Sequence, residues 1–132
     1  MKIIHAAVGI ILNAKQQILV DRRPMHWEKG GYWEFPGGKV EPHETVQQAL
    51  VRELQEEIGI LVQQSQPFFK VQLQFPHKQL ILDAWQVTDF DGEVQSLEGQ
   101  EVRWIAISEL KTLAMLESNR QILDKIYQSF LS

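Results

Sequence analysis

The chain contains 132 residues, of which 44% are hydrophobic and 23% charged, and its formal net charge is -4. This length predicts a single domain, residues 1–132, around one core. The acidic balance and the absence of a long basic run argue against binding to a nucleic-acid polymer. The chain has no cysteine, which excludes a disulfide scaffold and a thiolate metal site and fits a reducing cytoplasm.

The N-terminal part of the chain predicts two strands and an irregular loop. Residues 3–12 form an apolar, β-branched run, which is typical of a buried strand. A signal peptide is not expected there, because His5 and Gly9 interrupt the run and no small-residue cleavage site follows. Residues 18–23 predict a second strand, and the proline and glycines of residues 24–32 predict a loop. No segment is long enough to span a membrane.

The clearest predicted helix lies in the middle of the chain. Apolar residues recur there every four positions, at Val46, Leu50, Leu54 and Ile58. Pro42 precedes the helix, and the acidic Glu44 suits its first turn. Gly59 suits the position after the last turn, where a left-handed conformation is common. The pattern therefore predicts an amphipathic helix that packs one face on the core.

The remaining pattern predicts a hairpin, a further strand and two helices. The hairpin comprises strands at 68–75 and 80–87, and a loop at 89–100 leads to a strand at 101–107. Ser108 is expected to cap a short helix, and residues 119–130 have the apolar spacing of a longer one. This order of elements predicts an α/β fold in which helices cover a mixed sheet.

Three carboxylates cluster near the C-terminal end of the central helix. Helical geometry places Glu53, Glu56 and Glu57 within an arc of about 100°. Like charges at this spacing repel, and the helix dipole disfavours anions at this end. The cluster is therefore either a solvated acidic face or a site for a hard divalent cation such as Mg2+. Gly37 and Gly38, which precede the helix, would let the backbone approach a ligand closely.

Residues 38–60 resemble the Nudix box, written G-x5-E-x7-R-E-U-x-E-E-x-G-U, where U is a bulky aliphatic residue. Every specified position is filled at the right spacing, by Gly38, Glu44, Arg52, Glu53, Leu54, Glu56, Glu57, Gly59 and Ile60. The resemblance implies the Nudix α/β/α sandwich, with a mixed β-sheet between helices. Weaker similarities to the MutT type of Nudix enzyme extend over most of the chain and include "AAVGII", "EFPGGK", "QFP" and "SNRQIL".

The resemblance also implies a metal site and a catalytic base. Its ligands to Mg2+, or to Mn2+, would be Glu53, Glu56, Glu57, Glu98 and the main-chain carbonyl of Gly37 or Gly38. Glu53 is expected to take a proton from water, and it can do so while contacting a metal. Arg52 is expected to pair with and orient Glu53 or Glu44. Glu98 would either join the metal site or help to position water.

The implied activity is hydrolysis of a nucleoside triphosphate to a nucleoside monophosphate and pyrophosphate. Divalent ions between carboxylates and phosphates would offset the repulsion between an acidic protein and its substrate. MutT-type enzymes are 8-oxo-dGTP diphosphatases, so this chain is expected to sanitise the nucleotide pool as a cytoplasmic monomer. Two alternatives remain open: a diphosphatase that acts on CTP or 5-hydroxy-dCTP, and a Nudix module that binds ligands without catalysis.

The nucleoside would contact Arg23, Glu34, Phe35, Pro36, Gly37 and Asn119, as the resemblance implies. Oxidation of guanine at C8 puts a proton on N7, so that N7 becomes a donor beside the acceptor O6. The amide of Asn119 can accept from N7–H and donate to O6. In unoxidised guanine, N7 is an acceptor, and it would face the amide oxygen, which is also an acceptor. Other roles remain open: Asn119 as a helix cap, Arg23 as a solvated strand end and Phe35 as core packing.

Overall fold

The computed structural model describes residues 1–131, and within that range it contains seven strands and two α-helices. The strands are β1 (Lys2–Ile11), β2 (Gln17–Arg22), β3 (Trp33–Glu34), β4 (Gly37–Lys39), β5 (Leu61–Gln74), β6 (Lys78–Asp91) and β7 (Glu101–Ala106). The helices are α1 (Val46–Ile58) and α2 (Arg120–Phe130), and two 3-10 turns, Ile107–Thr112 and Glu117–Asn119, lie between β7 and α2. No helix in the described range has the length and apolar character needed to cross a membrane.

The strands form two sheets. The larger sheet has the order β4-β1-β6-β5, and its central pair, β1 and β6, runs parallel while the outer pairs are antiparallel. The smaller sheet has the order β3-β2-β7 and is antiparallel. The predicted mixed sheet is therefore confirmed. The chain between the two parallel strands includes α1, as a crossover connection requires.

Successive side chains of a strand point to opposite faces of the sheet, and this alternation creates two hydrophobic cores. On β1, Val8 and Ile10 belong to the core beneath α2, whereas Ala7 and Ile11 belong to the core beneath α1. The helices contribute Ile122, Leu123 and Ile126 to the first core, and Ala49, Leu50, Leu54 and Ile58 to the second. Burial of each large apolar side chain contributes about 1.5–3 kcal/mol. Helices thus cover both sides of the strands, which confirms the predicted α/β/α sandwich.

Helix α1 has the predicted apolar stripe and well-defined ends. Thr45 caps its N-terminus: the Thr45 hydroxyl accepts from the N–H of Gln48, and the Gln48 side chain accepts from the N–H of Thr45. Gly59 ends the helix in the left-handed region, with a φ of 72°. The expectation that Glu44 lies in the first turn is wrong, because the cap at Thr45 places Glu44 outside the helix. Its carboxylate accepts hydrogen bonds from Arg52 instead.

Two other elements differ from the sequence expectations. The hairpin strands are longer than predicted, since β5 and β6 pair from Leu61 and Asp91 to Gln74 and Gln79. Most of the added pairing joins residues 61–67 to residues 85–91, where backbone hydrogen bonds between β5 and β6 hold segments that carry many polar side chains. The short helix after β7 is a 3-10 turn, and Ser108 does not cap it.

Candidate active site

Gly37 and Gly38 at the start of β4, which we call the glycine turn, place the backbone against helix α1. Strand β4 pairs with β1 so that Gly38 lies opposite Ala7 and Gly37 lies opposite Val8. A Cβ atom at Gly38 would clash with the carboxyl group of Glu53, and one at Gly37 would clash with the carbonyl of Ala7. Gly37 therefore requires glycine, whereas a side chain at Gly38 would displace the carboxyl group of Glu53, and the two glycines bring the β4 backbone into close contact with the acidic part of α1.

Arg52 joins three glutamates, Glu44, Glu53 and Glu56, into a group that we call the arginine-linked cluster. Its Nε and Nη2 atoms donate to the two oxygens of Glu44 at 2.7 and 2.8 Å, which is a bidentate pair. Its Nη1 donates to Glu53 at 2.8 Å and to Glu56 at 3.4 Å. Both pairings predicted for Arg52 thus occur at once. A bond from Nη2 to the carbonyl of Lys39 ties the cluster to the glycine turn.

The guanidinium group affects the pKa values of two carboxyl groups in this cluster, those of Glu44 and Glu53. Hydrogen bonds from Arg52, helped by the N–H of Glu41, lower the pKa of Glu44 to about 2. The pKa of Arg52 rises because Glu44 and Glu53 accept its hydrogen bonds. Burial raises the pKa of Glu53, although Arg52 opposes that rise. Glu44 therefore stays ionised, whereas Glu53 combines a fixed position with an increased affinity for a proton.

A second group of carboxylates, which we call the buried cluster, lines a cavity of about 30 Å³ and consists of the buried Asp21, the half-buried Glu34 and Glu57, and the exposed Glu98. Burial raises the pKa of Glu57 to about 9, and the charges of Asp21 and Glu53 add to the rise. Atom Oε2 of Glu57 is buried and has no hydrogen-bond partner within residues 1–131. An ionised Glu57 is therefore unfavourable unless a cation binds beside it.

Asp21 is a member of the buried cluster that the sequence patterns did not indicate. It lies on β2 and is 5% exposed. Its pKa is raised to about 8, mainly by burial and also by the charge of Glu34, while the charge of Arg23 opposes the rise. The signal in the sequence is an acidic residue that ends the apolar run "ILVD", since acidic side chains are rarely buried without a partner.

The chemistry of both clusters fits a hard divalent cation. The candidate donors are carboxylate and backbone oxygens, which Mg2+ and Mn2+ prefer. Within residues 1–131, no three acidic or histidine side chains are grouped closely enough to hold a metal ion by themselves. The buried Oε2 of Glu57, without a donor, marks a place where a cation would relieve repulsion.

A larger cavity, of about 550 Å³, brings most of the predicted site residues together. Its lining includes Arg23, Glu34, Phe35, Gly37, Gly38, Glu53, Glu57, Glu98 and Asn119. Arg52, Glu56 and Pro36 are not part of that lining. Arg52 and Glu56 lie together in the arginine-linked cluster. Pro36 is buried, and its carbonyl accepts the N–H of Gly9 at 2.8 Å, so it belongs to the scaffold of the glycine turn.

Asn119 lies immediately before α2, and it is 5% exposed. Its side chain makes no capping bond to α2, so the helix-cap alternative is wrong. Instead, Oδ1 accepts from the N–H of Phe35 at 3.2 Å, and Nδ2 donates to Oγ of Ser118 at 3.2 Å. These bonds fix the amide at the cavity wall, where each end can still take one more partner, because Oδ1 has a second lone pair and Nδ2 a second hydrogen.

Arg23 is also fixed at the cavity wall. Its Nε and Nη2 atoms donate to the carbonyl of Glu28 at 3.1 and 3.0 Å, and Nη1 pairs with Glu34 at 3.4 Å. Its guanidinium carbon lies 5.4 Å from the ring centroid of Trp27. The alternative of a solvated strand end is therefore wrong. Phe35 packs in the core at 4% exposure, which confirms its packing role, and it also lines the cavity.

Comparison with known proteins agrees with this arrangement. Residues 7–125 match the NUDIX domain family. The chain is 38% identical over 126 residues to the 8-oxo-dGTP diphosphatase of Escherichia coli strain K12, an alignment that covers 96% of this chain and 98% of that protein. It is 40% identical over 109 residues to the CTP pyrophosphohydrolase of the same organism, covering 83% of this chain and 80% of that protein.

A solved structure supports the same relationship. It comes from a study of MutT from Aliivibrio salmonicida and Vibrio cholerae, and it matches with a TM-score of 0.86 and 42% sequence identity. The match covers 98% of this chain and 100% of that one. Nudix hydrolases in general use divalent metal ions, which agrees with the oxygen donors of both clusters. The chain therefore belongs to the Nudix domain family, among the hydrolases of MutT type.

Proposed function

We propose that this chain is a single-domain, Mg2+- or Mn2+-dependent pyrophosphohydrolase that converts 8-oxo-dGTP into 8-oxo-dGMP and pyrophosphate. The observation that carries the proposal is the composition of one cavity, which is lined by Glu53 and Glu57 and also by the buried Asn119. Carboxylates suit a polyphosphate with its divalent cation, and the amide suits a purine edge. Similarity to the 8-oxo-dGTP diphosphatase of Escherichia coli supports the same substrate. Hydrolysis of 8-oxo-dGTP would keep the oxidised base out of DNA.

The negative charge of the substrate defines what the carboxylates have to do. A formal net charge of -4 disfavours a triphosphate unless cations accompany it. The residues that would hold divalent cations are Glu53, Glu56, Glu57, Glu98 and the carbonyl of Gly37 or Gly38. A bound cation supplies charge neutralisation and polarises the attacked phosphoryl group. The residues of the chain then have to orient the substrate and accept a proton from water.

Glu53 is our candidate for the general base. Burial raises its pKa, which increases its affinity for a proton, and Arg52 fixes one of its oxygens at 2.8 Å. The oxygen of water forms a bond to phosphorus while the P–O bond to the leaving group breaks, and Glu53 takes the proton from the water. Arg52 acts on this step as a positioning residue, because it holds Glu53 without lining the cavity.

Asn119 is our candidate for recognition of the oxidised base. Its Oδ1 has to accept the N–H of Phe35, and this bond sets the orientation of the amide. In 8-oxoguanine the N7–H donor can then face Oδ1, and the O6 acceptor can face Nδ2. Unoxidised guanine would place its N7 acceptor against Oδ1, and a buried acceptor without a donor costs about 1–3 kcal/mol. This difference would favour the oxidised nucleotide.

Steady-state hydrolysis of 8-oxo-dGTP, dGTP, CTP and 5-hydroxy-dCTP in the presence of Mg2+ tests the proposal. We expect the highest kcat/KM for 8-oxo-dGTP, with 8-oxo-dGMP and pyrophosphate identified as products. Similarity to a CTP pyrophosphohydrolase makes the cytosine nucleotides the second candidate. Equal or faster turnover of CTP or 5-hydroxy-dCTP would overturn the purine assignment. Hydrolysis of none of the four would favour a ligand-binding module without catalysis.

Replacement of Asn119 by alanine tests the recognition of the base separately. We expect kcat/KM for 8-oxo-dGTP to fall by about 10- to 100-fold, because one bidentate pair is lost, while hydrolysis of dGTP is largely retained. Ser118→Ala is the matched control, since it removes a neighbour of the amide and leaves the bond between Asn119 and Phe35. An unchanged preference for 8-oxo-dGTP in Asn119→Ala would show that other residues read the base.

We also propose that the enzyme acts as a cytoplasmic monomer on unattached nucleotides, without a nucleic-acid polymer or a membrane as partner. The acidic composition supports this choice of substrate, because binding to a phosphate backbone depends on basic residues. Light scattering after size-exclusion chromatography measures the mass in solution. A dimer mass would contradict the monomer.

A further inference from the structure

Asp21 and Glu34 face each other across the smaller sheet. The register of β2 and β3 pairs Asp21 directly with Glu34, so both side chains lie on the same face. Alternation along β2 puts Asp21 on the side of Leu19, which packs in the core beneath α1, whereas Ile18 and Val20 pack beneath α2. Directly opposed carboxylates destabilise a strand pair, and here they lie on the side that carries Glu57.

Asp21 lacks a partner for its buried carboxylate. It is 5% exposed, and no hydrogen bond or ion pair to its side chain occurs within residues 1–131. Asp83, the other buried aspartate in that range, is 9% exposed and is fully engaged. It accepts from Trp85 at 3.1 Å and pairs with His5 at 3.2 Å. The charge of Asp83 is therefore offset by neighbouring side chains, whereas the charge of Asp21 is not.

The small cavity of the buried cluster has room and charge for a cation. Its volume of about 30 Å³ exceeds the roughly 10–15 Å³ that one water-sized sphere requires. Arg22 and Arg23 also line it, but both pair with other residues: Arg22 with Glu101 at 3.5 Å, and Arg23 with Glu34 at 3.4 Å. Neither arginine forms an ion pair with Asp21 or Glu57, so these two carboxyl groups have no cationic side chain paired with them in the cavity.

We propose that Asp21 extends the metal-binding site inward, so that the small cavity binds one divalent cation of the Mg2+ class through Asp21 and Glu57. This inference rests on the proposed function, because Glu57 belongs to both sites. Two carboxylates are within the number that commonly bind Mg2+. The cation relieves the repulsion of Asp21 with Glu34 and with Glu57, and it gives the buried Oε2 of Glu57 a partner.

Binding of Mn2+ to the nucleotide-free chain, followed by the electron paramagnetic resonance signal of unbound Mn2+, tests this inference. We expect Asp21→Asn to bind Mn2+ at one site about 10- to 100-fold more weakly than the unaltered chain. We also expect its metal-free melting temperature to rise, because the repulsion with Glu34 and Glu57 is removed. An unchanged Mn2+ isotherm together with a lower melting temperature would mark a structural role for Asp21 and overturn the inference.

Asp83→Asn is the matched control, because it neutralises the other buried aspartate. We expect it to lower the melting temperature, since its bonds to Trp85 and His5 weaken, and to leave the Mn2+ isotherm unchanged. Weaker Mn2+ binding by Asp83→Asn as well would overturn the inference, since any buried aspartate would then have the same effect. If Asp21→Asn does not fold, Asp21→Ser is the second variant, with the same expected loss of Mn2+ affinity.

The failure of this inference can be distinguished from the failure of the proposed function. If Asp21→Asn binds Mn2+ normally while the unaltered chain binds Mn2+ and hydrolyses 8-oxo-dGTP, only the inner site is overturned. If the unaltered chain binds no Mn2+, both proposals are overturned.

Discussion

The two carboxylate clusters beside α1 contain similar side chains but balance their charge differently. In the arginine-linked cluster, every glutamate accepts a hydrogen bond from Arg52. In the buried cluster, Oε2 of Glu57 has no donor within residues 1–131. Glu34 of this cluster forms an ion pair with Arg23. Hydrogen bonds from Arg52 offset part of the charge of the first cluster within the protein, whereas the second cluster leaves a buried carboxylate oxygen without a donor.

The difference appears as pKa shifts of opposite sign. Hydrogen bonds from Arg52 lower the pKa of Glu44 to about 2, whereas burial raises that of Glu57 to about 9. Glu53 belongs to both environments, because Arg52 donates to it while burial raises its pKa. The same residue type therefore stays ionised where Arg52 donates to it, as at Glu44, and holds a proton more tightly where it is buried, as at Glu57. Glu53, between them, has the properties expected of a base.

Glu53→Gln removes the residue that connects the clusters, and we expect the largest effect from it. The amide cannot take a proton from water, so kcat should fall by about 10²- to 10⁴-fold. The free energy of unfolding should change little, because the amide oxygen can still accept from Arg52. Initial rates and thermal denaturation measure the two quantities. Glu41→Gln is the control, since Glu41 is exposed and lies 4.0 Å from Arg52. Full activity of Glu53→Gln would show that the base lies elsewhere.

Arg52→Lys tests whether the first cluster needs the shape of a guanidinium as well as its charge. An ammonium group cannot replace the bidentate pair with Glu44 while it also donates to Glu53. We expect kcat to fall by about 10- to 100-fold and the free energy of unfolding to fall by about 1–3 kcal/mol. Rates and denaturant titration measure the change. If kcat stayed unchanged while stability fell, the cluster would be scaffold alone and would not position Glu53.

The features predicted from the sequence are those that depend on residues close together along the chain. Helical spacing predicted α1 and the proximity of Glu53, Glu56 and Glu57, and the Nudix box spacing predicted the pairing of Arg52. These relations hold because one helix and the turn before it contain the participants. Placement of residues from one such segment follows from local geometry, and this explains why the arginine-linked cluster could be anticipated.

The place of Asp21 in the buried cluster could not be anticipated in the same way, because it depends on contacts between distant segments. Asp21 becomes buried opposite Glu34 only through the register of β2 and β3. The side chain of Asn119 accepts from the N–H of Phe35, which is 84 positions away. This tertiary contact takes the place of the helix-capping bond that the position of Asn119 before α2 suggested. Local periodicity predicts which face of a strand is buried, but it does not identify the residue of another segment that lies opposite.

At basic pH, the buried cluster should destabilise the chain when divalent ions are absent. The pKa values of Asp21 and Glu57, about 8 and about 9, lie above those of unfolded carboxyls, so the folded state binds these protons more tightly. Their stabilising contribution is fully present below about pH 4 and is lost as the pH rises through the folded values. We expect the melting temperature to fall by about 5 °C between about pH 6 and about pH 9. Added Mg2+ should remove most of this fall, and a fall of the same size with Mg2+ would contradict cation binding there.

The smallest change in melting temperature should come from the arginine-linked cluster at acid pH. Here stability is lost as the pH falls, whereas in the buried cluster it is lost as the pH rises. The pKa of Glu44 is lowered by Arg52, so the folded state favours the ionised carboxylate. This contribution is present above about pH 4.3 and is lost as the pH falls towards about 2. Glu44→Gln should therefore melt about 1–2 °C lower than the unaltered chain at neutral pH, and the two should converge in acid. If the difference persisted unchanged at low pH, Glu44 would stabilise the fold by its shape, and charge balance would no longer separate the two clusters.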